Sequence, residues 1–227
     1  MPENTHGKNR PTEEGSITVS GTGRVAVAPD VADLQLGVSI VRRTVAIARA
    51  EAATTMAAIL AAVEAAGVPR HDVRTTTLSV QPRYDYRDNK PPTLTGYELA
   101  NGASVIIRDL ARLGEVIDGT LAAGATSMDR LAFRVADPEP TERQARLLAM
   151  AMARSRADVL AESAGLSIVG VADVVEGGAS PPPWPRMKAE RMMVAADAAT
   201  PVEAGETEIS VTVTVTYRAR QVSDEGG

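Results

Sequence analysis

Val19-Ser20-Gly21-Thr22-Gly23-Arg24-Val25-Ala26-Val27-Ala28-Pro29-Asp30-Val31-Ala32-Asp33-Leu34-Gln35-Leu36 is the stretch on which the fold turns. Ile17, Val19, Val25 and Val27 alternate with polar or small residues, and Gly21 and Gly23 fall where a strand bends or bulges. Pro29-Asp30 reads as a turn. Leu34, Leu36, Val38 and Ile40 then alternate with Asp33, Gln35, Gly37 and Ser39, the period-two pattern of a strand with one wet face. The stretch is therefore expected to be a β-hairpin.

Downstream, Thr44 to Ala66 carries Ala48, Ala52, Met56, Ile59, Leu60 and Val63 at helical spacing and stops at Gly67-Val68-Pro69. Two strand-like segments follow, Val73 to Tyr86 and Tyr97 to Arg108, separated by a loop that Pro91-Pro92 enforces. Asp109 caps a second, shorter helix with Leu110, Leu113, Ile117 and Leu121 on one face, closed by Gly124. Leu131, Phe133 and Val135 alternate as a strand. Asp137-Pro138 then opens a long helix that ends near Gly165-Leu166. Ile168 to Glu176 and the alternating Ile209, Val211, Val213 and Val215 complete the strands.

Each long helix leads into a strand, a loop and a strand. The order of elements reads as two tandem β-α-β-β units plus the short extra helix. The fold class is thus α+β: an antiparallel-rich sheet with helices packed on it. Apolar residues make up 44% of the 227, enough for a sizeable core, but aromatics are only 3%, so Ala, Val, Leu and Ile must fill it.

Composition also excludes function classes. The formal net charge is −5, from 24 basic and 29 acidic residues, and no basic run tracks a phosphate backbone, so nucleic acid is disfavoured as a partner. With no cysteine and two histidines, thiolate chemistry, a His-based metal site and a Ser-His-Asp triad lack material. Gly21-Thr22-Gly23 lacks the third glycine and the following helix of a dinucleotide loop. Asp30 and Asp33 read as a turn residue and a solvated strand residue, and His71 as a surface loop residue. No catalytic residue, cofactor site or metal site is assigned, and the chain is read as non-enzymatic.

Two groups of residues stand out for binding. Tyr84, Tyr86 and Tyr97, with Arg83 and Arg108 nearby in sequence, suit a stacking surface for a small molecule or peptide. The long Pro-rich stretch from Gly177 to Glu206 carries Trp184, Met187, Met192 and Met193, adaptable contact residues that suit self-association.

The motifs in order resemble the SIMPL-domain family, which includes bacterial periplasmic immunogenic proteins and an oxidative-stress-defence protein. The resemblance spans Ile17 to Tyr217. It rests on Val19-Ser20-Gly21-Thr22-Gly23 with Ala28-Pro29-Asp30, Gly67-Val68 with Asp72-Val73, and Gln81-Pro82-Arg83-Tyr84-Asp85-Tyr86. It continues through Gly96-Tyr97 with Asn101, Ile107-Arg108-Asp109-Leu110, Ala123-Gly124-Ala125, Asp137-Pro138, Glu176-Gly177-Gly178 and Pro201-Val202-Glu203-Ala204-Gly205-Glu206.

It implies a one-domain α+β fold, no established enzymatic activity, and a link to envelope or oxidative stress. The expected layout is a disordered polar leader over 1–15, a SIMPL-like domain over 16–220 with a long loop over 177–206, and a disordered tail over 221–227. The expected function is a self-associating scaffold or binding module, with a homo-oligomer as the expected assembly and a further protein partner unnamed. A small-molecule or peptide binder is the alternative, and a hydrolase using Asp30 or Asp33 a third reading. Family members are often periplasmic, but the polar leader has no apolar h-region and no later segment has an uninterrupted apolar run of membrane-spanning length. The chain is therefore expected to be cytoplasmic, without a transmembrane segment.

Overall fold

The computed structural model describes residues 14–86, 91–177 and 200–222. Within it β1 (Glu14–Val27) and β2 (Val31–Arg42) are both strands, as their alternation indicates, but they do not pair with each other. The hairpin expectation is corrected here. Period-two alternation identifies a strand and its wet face, while its neighbour is chosen by the whole sheet. Asp30 bonds elsewhere: its backbone N–H donates to Arg134 O (3.3 Å), and its Oδ1 accepts from the Ala136 N–H (2.7 Å). The Pro-Asp step thereby fastens the start of β2 to the end of a different strand.

The expected α+β architecture with antiparallel pairing is present, and the chain divides into two compact units. One comprises described residues 14–27, 137–177 and 207–222. Its sheet has the order β1, β7 (Thr207–Gln221), β6 (Leu166–Gly177), all antiparallel. Helix α3 (Glu139–Ser163) opens where Asp137 Oδ1 accepts from the Glu139 N–H (3.2 Å). It buries Ala145, Ala149, Ala153, Ala157 and Ala161, a ridge at spacing four, against Ile17, Val19, Val211, Val213 and Val215.

The register of β1 on β7 runs without a shift from Glu14↔Arg220 to Val27↔Thr207. Gly21 and Gly23 are therefore not bulge residues. They let the alanine ridge approach: a β-carbon on Gly21 would lie 2.1 Å from the Ala149 carbonyl oxygen, and one on Gly23 would lie 1.9 Å from that of Ala145. The opposite face of β1 and β7 is polar, with hydroxyl pairs Thr18–Thr216, Ser20–Thr214 and Thr22–Thr212, each at 3.0 Å.

The other unit comprises described residues within 28–136 together with 200–206. Its sheet has the order β3 (Val73–Asp85), β4 (Thr93–Ile107), β2, β5 (Ser127–Arg134), again antiparallel throughout. Helices α1 (Val45–Ala65) and α2 (Leu113–Ala122) cover one face. Thr44 caps α1, its Oγ1 accepting from the Ile47 N–H at 3.4 Å.

Leu34, Leu36, Val105 and Ile107 on the strands pack with Ile59, Val63 and Val116 on the helices. Fully burying each such side chain stabilises the fold by about 1.5–3 kcal/mol. Val202 also packs on this core, and the Thr200 hydroxyl donates to Asp118 Oδ1 at 2.6 Å. By length and composition alone α1 is apolar enough to cross a membrane, with a mean hydropathy of 1.4. Its stripe of Ala48, Ala52, Met56, Ile59 and Val63 is nonetheless buried in the core.

The two β-α-β-β units are legible in the strand orders, since β3-β4-β2 with α1 matches β6-β7-β1 with α3. The second unit, however, takes β1 as its outer strand. β5, which precedes α3 in sequence, is added instead to β2.

Candidate functional site

Alternation along β2, β4 and β5 sends the apolar phase under the helices and leaves a polar phase on the open face of the four-stranded sheet. Register then aligns one residue from each strand. Arg74 on β3 is opposite Ser104 on β4, Ser104 is opposite Gln35 on β2, and Gln35 is opposite Arg130 on β5. Asp33, His71, Asp72, Ile106 and Ala132 complete the lining of a groove of about 520 Å³.

Two ion pairs frame this groove. A single 3₁₀ turn over Arg70–Asp72 delivers Asp72 to the sheet, where it is 4% exposed. Arg108 meets it in a two-pronged contact, Nε to Oδ2 and Nη2 to Oδ1, both 2.9 Å. The hydrogen bond from Arg108 holds the Asp72 carboxyl below the usual carboxylate range, against the opposing effect of burial. His71 Nε2 stands 3.8 Å from Asp72 Oδ2. On β2, Asp33 is held by Arg134, with Nε to Oδ2 at 2.7 Å and Nη2 to Oδ1 at 3.3 Å. Arg74 and Arg130 have no hydrogen bond or ion pair to any described residue.

The residues singled out in the sequence fall in several places. Tyr84 and Tyr86 form a tilted ring pair with centroids 6.3 Å apart, and Tyr86 is 75% exposed. Tyr97 is half-buried, in register with Pro82 and Arg42. Arg83 Nε lies 3.3 Å from Glu98 Oε2, so its charge is matched locally. Arg108 stands at the far end of β4 from Tyr97, roughly 35 Å along the strand at about 3.3 Å per residue, and is committed to Asp72. Trp184, Met187, Met192 and Met193 lie outside the described residues.

The groove residues Gln35, Arg74, Ser104 and Arg130 were not singled out from sequence. Each sits on the polar phase of its own strand, and only the four-strand register brings them into one line. Among the described residues no group of three or more His, Asp or Glu is arranged to hold a metal ion.

Residues 17–217 match the sequence profile of SIMPL, described as a protein of unknown function (DUF541). The chain is 31% identical over 216 residues to the 26 kDa periplasmic immunogenic protein of Brucella melitensis, covering 92% of this chain and 86% of that one. It is also 31% identical over 191 residues to a protein of Escherichia coli K12 named "Uncharacterized protein YggE", covering 84% and 75% respectively. The Edwardsiella ictaluri protein of the same name is 28% identical over 191 residues. The expectation of a cytoplasmic location is overturned by these relatives, since the Brucella proteins are named as periplasmic. A polar N-terminal stretch was too slight a basis for choosing the compartment.

Proposed function

The chain belongs to the SIMPL family, and from that premise we propose that it is a non-enzymatic, self-associating binding module of the periplasm, acting in a stress response. Strand β3 is the observation that carries this reading. It pairs with β4 on one side and with no described strand on the other. From Thr75 to Gln81 it contains no charged residue, and Leu78 and Val80 are 71% and 44% exposed. An open edge without lysine or other charge is a template for a strand of another chain.

The periplasmic setting is supported by the names of the Brucella relatives, and the stress setting by the family resemblance. The non-enzymatic reading is supported by the state of the groove carboxylates. Asp33 and Asp72, the acids a hydrolase would draw on there, are each engaged by two nitrogens of one arginine.

Light scattering on the full chain tests the reading. A mass that is a multiple of the 23.8 kDa chain, reduced to the single-chain value in Leu78→Lys/Val80→Lys, supports it. A single-chain mass for the unmodified protein at every concentration contradicts it. Ester or phosphate hydrolysis abolished by Asp33→Asn contradicts its non-enzymatic part.

A second reading, peptide or sugar binding at the hairpin of β3 and β4, is favoured by the exposed Tyr84–Tyr86 ring pair. It requires ligand binding that Tyr86→Ala removes.

A further inference from the structure

We propose that the open face of the four-stranded sheet binds a small linear dicarboxylate with a hydrogen-bonding middle, laid across the strands from Arg74 to Arg130. The inference rests on the reading of the chain as a binding module and names the ligand chemistry of its groove.

The two end residues are cations without a described partner, although the chain as a whole has a net charge of −5. The nearest acids do not neutralise them. Asp33 is held by Arg134 and Asp72 by Arg108, so the pairs cancel and leave Arg74 and Arg130 as uncompensated charge on this face. An arginine fork matches a carboxylate with two parallel hydrogen bonds, which gives each end a defined anionic occupant.

Between the ends stand Ser104 and Gln35, neutral groups that both donate and accept. A third anionic group would meet no cation there, whereas an amide or hydroxyl would meet two partners. The row also fixes a length. Three steps between strands put the Cα atoms of Arg74 and Arg130 about 14 Å apart, so a ligand held between the two guanidinium groups spans on the order of 10 Å from one anion to the other. The groove volume, about 520 Å³, lies in the range of small-molecule sites rather than of macromolecular grooves.

Calorimetric titration of the full chain tests this with four probes: succinate, suberate, octanoate and N-succinyl-β-alanine, the last an amide isostere of suberate. Suberate and its isostere are expected to bind at least ~10-fold more tightly than succinate or octanoate, because only they reach both arginines. Arg74→Gln and Arg130→Gln should each lower the affinity for suberate at least ~10-fold, while Arg43→Gln, outside the groove, leaves it unchanged. The isostere should bind severalfold more tightly than suberate, and Ser104→Ala should remove that advantage.

Affinity that ignores ligand length, or that survives both arginine substitutions in proteins whose circular dichroism melting is unchanged, overturns the proposal. Light scattering on the same samples separates the two claims. An intact assembly that binds none of the probes sinks the ligand assignment alone.

Discussion

Gly23 on β1 lies so close to Ala145 on α3 that a β-carbon at position 23 would sit 1.9 Å from the Ala145 carbonyl oxygen. The contact is with helix backbone, which has no rotamer through which to yield. Gly23→Ala should destabilise the protein by about 3 kcal/mol, the upper end of overpacking costs, even after the smaller gain from a stiffer unfolded chain. Gly15→Ala on the same strand meets nothing closer than the Ala219 carbonyl oxygen at 3.9 Å, and should change stability by less than about 0.5 kcal/mol. Urea denaturation of the two variants checks the difference.

Asp72 sets an acid limit on the unit that contains it. Its carboxyl is held below its unfolded value by the hydrogen bond from Arg108, so it contributes stability that is fully present above the unfolded value, near pH 4. That contribution is lost as pH falls through the lower, folded value. Melting temperature followed from pH 6 down to pH 2 should fall more steeply in the unmodified protein than in Asp72→Asn. Arg108→Ala, which strands a buried carboxylate, should lower the melting temperature at pH 7 and weaken its fall on acidification.

Asp30 works as a fastener rather than as a hairpin residue. Its Oδ1 accepts from the Ala136 N–H at 2.7 Å. Asp30→Ala should therefore cost about 1 kcal/mol, and hydrogen exchange should quicken at Ala136.

Much of this fold was legible in the sequence because its elements carry strong local signals. Thr44 caps α1, Asp137-Pro138 stands immediately before α3 as its sequence indicates, and the helix stops fall at Gly67 and Gly165. Strand pairing was not legible. Val19 and Leu34 alternate in the same way whether β1 and β2 neighbour each other or stand in separate sheets, and the long-range contacts that decide this have no local signature.

The same holds for the groove. Arg74, Ser104, Gln35 and Arg130 are ordinary polar-phase residues one strand at a time, and become a row only through register. Conversely, Arg83 and Arg108 stood out beside tyrosines in sequence, yet the structure assigns them to Glu98 and Asp72. Gly21 and Gly23 were visible as exceptions to the strand pattern. Their cause, an alanine ridge more than a hundred residues away in sequence, was not.

The claim that β3 is the edge through which copies associate is tested most directly by amide hydrogen exchange across Val73–Asp85 at low and high protein concentration. If the edge pairs with another copy, the free-side amides between Thr75 and Gln81 will exchange quickly at low concentration and slow markedly as assembly proceeds, and Leu78→Lys/Val80→Lys will abolish the slowing. Exchange that is equally fast at both concentrations, in a protein whose mass has nevertheless risen above one chain, would show that copies meet elsewhere and would contradict the account.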